Sequence, residues 1–169
     1  MERLIPKHMP AEVELNRHRW ADLRVCEGRA SAVPEAARGL MAAKSADEAE
    51  QYYWQLENRV VVQGQLYNSA PPLVSVLTAA LLDELERPAK IGILDLLYQI
   101  VSGESHPDEV GAGNPDLGWR CRHKAREGIW VFYRELLIGE SAAAWDVLEV
   151  IDEDAERLAA FSTRRKLGA

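Results

Sequence analysis

Cysteine is nearly missing from this chain: two in 169 residues, Cys26 and Cys121. They stand far apart and close to no second ligand pair, so no disulfide framework or cysteine-built metal site can be drawn. One Cys26–Cys121 bridge is compatible with the count. Two free, partly buried thiols in a reducing cytoplasm are the preferred expectation. Positive charge is also short, with 20 Lys and Arg against 27 Asp and Glu, a net charge of −7 and a pI near 5.2. Binding to nucleic acid in general needs a basic face that displaces counterions, so the balance argues against it. It is compatible with a basic partner, and equally with plain solubility. No apolar run approaches the ~18 residues of a membrane span. The opening MERLIPKHMP has no apolar leader region. A soluble cytoplasmic protein without membrane contact is expected.

Strand alternation is the next absence. Val60, Val61 and Val62 are β-branched, but the run is short and continues a helical pattern. The histidines (His8, His18, His106, His123) form no H-E-x-x-H and no Cys/His ligand spacing, so no metal ion and no cofactor is expected. What is abundant is helical periodicity. The length suits one domain, and a chain this size buries roughly 70% of its unfolded surface, so it needs no staples.

The stretch Glu50–Leu85 is the centre of the pattern. Tyr52, Tyr53, Leu56, Val60 and Val61 recur at helical spacing. Gly64 then stops that helix through a left-handed turn. Ser69 is placed to cap the next helix, with Pro71 and Pro72 in its first turn. Leu73, Val76, Leu77, Ala80, Leu81 and Leu85 follow, wide enough to bury most of the circumference.

The remaining elements are read in order. Residues 1–10 carry Pro6 and Pro10 and form a lead-in arm. A first helix covers Ala11–Val25, with Val13, Trp20 and Leu23 inward and Gly28 breaking it. A second runs over Pro34–Ala43, with Leu40 and Met41 inward. Ser45 and Glu48 match a capping box for the third, which runs to Val62. The fourth is Pro71–Leu85. The fifth is Ala89–Val101, with Ile91, Leu94, Leu97, Tyr98 and Val101 inward. Ser102–Pro115, with three glycines and two prolines, is the longest loop. A sixth helix opens at Asn114 or Asp116 and ends at Gly139, on a stripe of Cys121, Ala125, Ile129, Phe132, Leu136 and Leu137. Ser141 caps a seventh, with Trp145, Leu148 and Ile151 inward. Asp152 or Asp154 caps an eighth through Phe161, before a frayed tail over 163–169. The expected fold is all-α: one domain over 11–162, with about seven or eight helices and sequential neighbours antiparallel.

Gln63-Gly64-Gln65-Leu66-Tyr67 followed by the apolar Pro71–Leu85 segment resembles the bacterial HEAT-repeat-like α-solenoid proteins. Their hinge of the type W-x-x-x-x-x-Q-G-x-x-Y precedes a helix of the type A-x-P-x-L-x-x-L-L. Gln63, Gly64 and Tyr67 match; Pro72 and Leu73 match loosely; Trp54 stands further upstream than the pattern puts its tryptophan. The resemblance extends over Trp20–Phe161 without a repeat of fixed period. It implies stacked helical hairpins and macromolecular binding, and it supplies no catalytic residues.

Candidate chemistry is thin. Gly139-Glu140-Ser141-Ala142-Ala143 looks like a nucleophile elbow, but a helix precedes it where a strand is needed and no histidine lies downstream. Cys121 and His123, two apart on a helix, diverge and form no dyad. The carboxylates Glu149, Asp152, Glu153, Asp154 and Glu156 lack the glycine and layout of an EF-hand. Arg120, Arg122, Lys124 and Arg126 form a basic strip that reads first as an internal charge complement.

If each helix reverses direction, the loop 102–115 and the turn at 152–154 share one edge. That edge gathers Glu104, Asp108, Glu109 and Asp116 beside Glu149, Asp152, Glu153, Asp154 and Glu156, a candidate surface for a basic partner. The expectation is a non-catalytic module, monomeric or weakly dimeric, binding one basic protein: an immunity protein that neutralises a toxin domain. The alternatives are a self-associating scaffold and an enzyme with the Gly-rich loop as lid.

Overall fold

The structure, a computed structural model, describes residues 9–165. Helices α1 (Met9–Arg17), α2 (Val33–Ala42), α3 (Ala46–Val60), α4 (Ala70–Ala80) and α5 (Arg87–Val101) make up the first part. Helices α6 (Pro107–Gly111), α7 (Leu117–Arg126), α8 (Ile129–Ile138), α9 (Ser141–Ile151) and α10 (Ala155–Arg165) make up the second. The all-α class is correct. None of these helices is long and apolar enough to cross a membrane. The N-terminal arm falls on residues outside the description, except that Met9 and Pro10 already belong to α1. Helix α10 continues to Arg165, three residues into the expected tail; residues 166–169 lie outside the description.

Packing is centred on α5, which lies against α2, α3, α4, α7 and α9. Helices distant in sequence also meet, α1 on α4 and α4 on α7. The hub is therefore one helix later than the Pro71–Leu85 segment, although α4 is itself closely surrounded. Leu94, Leu97 and Val101 face the core as expected, and so do Ile93, Leu96 and Ile100, so α5 is apolar around most of its girth. Tyr98 points outward instead.

Among the described residues there are five two-residue strands, two of them where helix was expected. The first helix stops at Arg17, and the chain then forms a hairpin of β1 (Arg24–Val25) and β2 (Gly28–Arg29). Helix α3 stops at Val60, and Val61–Val62 (β3) turns back on Gln65–Leu66 (β4). Gln63 and Gly64 have φ of 51° and 77°, so a two-residue turn of the kind favoured in hairpins joins them. The β-branched run thus prefers an extended ladder to another helical turn. Glu104–Ser105 (β5) adds to β4 in parallel, and much of the expected long loop becomes strand and helix.

Gly64 does hold the left-handed conformation its position implied, but four residues beyond the helix end. A side chain there would meet nothing within 4 Å, so a substitution is opposed by the backbone alone. Gly64→Val is expected to cost about 1–3 kcal/mol, from a β-branched residue at positive φ. Thermal unfolding would show it, and an unchanged midpoint would refute the turn geometry.

The expected sixth helix is two helices. A Cβ on Gly128 would overlap the Thr78 methyl group, so α4 occupies the space a side chain would need. The helix breaks there, between Arg126 and Ile129. Cys121, Ala125, Ile129, Phe132 and Leu136 stay buried while Leu137 turns outward. Val13 on α1 is likewise exposed.

Candidate functional site

Most of the acids expected on one edge have internal partners. Glu109 is 1% exposed and sits in a polar knot. Arg24 donates to it through Nε at 2.9 Å and Nη2 at 2.6 Å. The Asn68 N–H and the Asn114 amide donate at 3.1 and 2.9 Å. Asn68 Oδ1 in turn accepts from the Arg24 N–H, and Ser69 Oγ donates to the Arg24 carbonyl. Ser69, expected as the cap of α4, is thus used to hold the β1 hairpin. Burial pushes the Glu109 pKa up, but the hydrogen bonds from Arg24, Asn114 and Asn68 outweigh it and leave it below the ordinary value.

Asp152 is buried as well. Arg157 grips it bidentately at 2.8 and 2.6 Å, and the Tyr133 hydroxyl donates to it. Burial raises its pKa, yet Arg157, Tyr133 and the Asp154 N–H bring it down to about 2. Asp154 Oδ1 accepts from the Arg157 N–H at 3.0 Å, so Asp154 caps α10. Glu109 and Asp152 therefore cannot be surface contacts as they stand, and this part of the expected edge is corrected. Their burial demanded cations, and Arg24 and Arg157 supply them.

The basic strip acts inward. Arg122 reaches Glu104 at 3.0 Å, and Arg126 reaches Glu153 at 2.8 Å. These arginines are one turn apart on α7 and so tie the two acidic segments to one helix. The crowding of like charge that motivated an interface there is largely relieved within the chain. Asp108, Asp116, Glu149 and Glu156 remain on the surface, in water. The Gly-rich segment is pinned rather than poised. The Glu104 and His106 N–H groups donate to the Gly64 and Leu66 carbonyls, and Ser105 Oγ accepts from the Leu117 N–H. Cys121 is buried, which pushes its thiol pKa up; Cys26 is half-buried and both are free.

A different face collects acids that have no such partner. A groove of about 510 Å³ runs between α3 and α5. Ala46, Ala49 and Gly92 form part of its wall, where small residues leave room; Tyr53, Trp54, Pro88 and Ile91 supply apolar surface. Trp54 is 47% exposed. Glu50 and Asp95 also line the groove, Glu57 lies beside Tyr53, and Asp146 of α9 faces Asp95. Among the described residues, no cation pairs with Glu57, Asp95 or Asp146. Burial raises the pKa of Glu57, and burial followed by Asp146 raises that of Asp95. The Tyr53 hydroxyl is pushed up to about 12 by burial, then by Glu57 and Asp95. Glu57 and Asp95 are thus partly desolvated with no cation beside them.

The sequence pattern assigned Tyr53 to the core face and did not single out Glu57, Asp95 or Asp146. The available signal was the pairing of acids with aromatics on one side of α3: Glu50, Trp54 and Glu57 recur at intervals of four and three. Among the described residues, no group of three or more His, Cys, Asp or Glu is placed to hold a metal ion. Comparison with family models, with curated proteins and with solved structures yields no match.

Proposed function

We propose that the chain is a non-catalytic binding module for one basic protein partner, and that it serves as an immunity protein neutralising a bacterial toxin domain. One observation carries the reading. Glu57 and Asp95 beside the α3–α5 groove are partly desolvated, and neither they nor Asp146 has a cation partner among the described residues, whereas Glu104, Glu109, Asp152 and Glu153 have theirs. A basic surface docked on that groove relieves the repulsion and covers Trp54 and Tyr53, the residue types that dominate binding energies. The net charge of −7 adds steered association with a cationic protein. Cytoplasmic action fits a partner that must be met before it reaches its target.

The test uses a basic toxin domain encoded beside this chain. Lysine reversal at Glu57, Asp95 and Asp146 together is expected to slow association by at least about tenfold and to flatten its salt dependence. The helical circular dichroism should stay unchanged. A matched reversal at the hydrated Asp108, Glu149 and Glu156 should do little. If the matched set carries the effect, the interface lies at the acidic chain segments and the groove reading fails. If co-expression of the unaltered chain gives no protection from the toxin, the immunity role fails.

A further inference from the structure

The Tyr53 and Trp54 rings stand at 88° with their centroids 5.2 Å apart. The indole Nε1 donates to Glu50 Oε1 at 3.3 Å, which ties that ring to a carboxylate on the previous turn. The result is a corner of two aromatic walls with acids at its rim. Pro88 and Ile91 continue the surface from α5, and Asp95 closes it one turn further on. A corner of this kind attracts a cation through the ring faces and the carboxylates together. Among the described residues, the one cation lining the groove is Arg87, which is engaged elsewhere, with its Nε 2.6 Å from Glu140.

We propose that this corner is the seat of one arginine side chain of the basic partner. Its guanidinium lies in the corner that the touching Tyr53 and Trp54 rings form, stacked on an exposed ring face, and meets Asp95 and Glu50, while apolar neighbours in the partner lie on Pro88 and Ile91. The inference rests on the basic-partner reading and names the contact within it. Arginine fits better than lysine for three reasons: it is planar, more weakly hydrated, and able to bond a carboxylate through two N–H groups while stacking on a ring. The groove volume of about 510 Å³ exceeds one side chain, which leaves room for the flanking residues. Burial first, and Glu57 and Asp95 after it, raise the Tyr53 pKa at the same corner.

The probes are three end-blocked tripeptides, Leu-Arg-Leu, Leu-Lys-Leu and Leu-norleucine-Leu, titrated while the Trp54 indole N–H resonance is followed by NMR. The arginine peptide should shift that resonance and bind about tenfold tighter than the norleucine peptide, with lysine between them. Trp54→Ala and Asp95→Asn should each weaken the arginine peptide by a similar factor, with unchanged circular dichroism. An unmoved indole resonance at millimolar peptide overturns the proposal, and so does equal binding of norleucine or a preference for lysine. The partner itself separates the two readings. If the triple acid reversal weakens its binding but Trp54→Ala does not, the arginine seat is wrong and the basic-partner reading stands. If neither change weakens it, both fall.

Discussion

Glu109→Ala is expected to cost about 3 kcal/mol of stability, an amount typical of breaking a buried ion pair from one side. The carboxylate is almost fully enclosed and receives four hydrogen bonds. Removing it leaves the Asn68 N–H and the Asn114 amide without their acceptor. Arg24 is partly exposed and can rehydrate, which keeps the loss at the lower end of the usual range. Three segments are stitched at this point: the β1 hairpin, the turn before α4, and α6. Local opening should therefore spread to 106–114, and faster amide exchange there would report it. Glu109→Leu combined with Arg24→Met should recover part of the loss, because it removes the stranded charge as well. An effect below about 1 kcal/mol for Glu109→Ala would mean that the knot is not closed in solution.

Glu109 and Asp152 together set an acid limb. Glu109 has a folded pKa below its ordinary value of 4.5, and Asp152 falls from 3.8 to about 2. Depressed carboxylate values mean that the unfolded chain binds protons first. Their stabilisation is complete above the unfolded values and is lost as pH falls through the folded ones. Midpoints should hold from neutral pH to about 5 and drop steeply between about 4.5 and 2. In Asp152→Asn the lower part of this drop should be shallower.

Helix existence was legible because apolar spacing is a local property. Leu40, Met41, Leu56, Leu77 and Ile151 are buried where the pattern placed them. Boundaries failed where a distant group decided them. Nothing near Gly128 in sequence announces that Thr78 will fill the space beside it, at the junction of α7 and α8. Ser69 reads as a helix cap until the β1 hairpin arrives to take its hydroxyl. The capping box at Ser45 and Glu48 formed in part. Ser45 Oγ accepts from the Glu48 N–H as expected, while the Glu48 carboxylate reaches Lys44 N–H rather than that of Ser45. The burial of Glu109 and Asp152 was illegible for a related reason. A string of Asp and Glu shows charge, but whether each acid is paired depends on arginines brought in by folding, such as Arg24, 85 residues from Glu109. The groove was harder still, since its walls come from two helices and its room comes from residues with almost no side chain.

Leu77→Ala is expected to be as costly as any single truncation in the chain, about 2–5 kcal/mol. Leu77 is 0% exposed in the middle of α4. That helix is held against α1, α5 and α7, so its neighbours cannot easily move in to fill the space. Relaxation decides where in the range a truncation falls, and a helix braced on three sides relaxes little. Val74, Val76 and Ala80, all fully enclosed, already sit at close packing around it. The neighbouring control is Leu82→Ala, two residues beyond the end of α4 and 55% exposed, which should change stability by less than about 0.5 kcal/mol. Urea unfolding of both variants separates the cases: Leu77→Ala should lower the midpoint with the slope unchanged, because the surface exposed on unfolding is the same. A loss below about 1 kcal/mol at Leu77 would place α4 at the surface and would undo the packing of α1 and α7 against it.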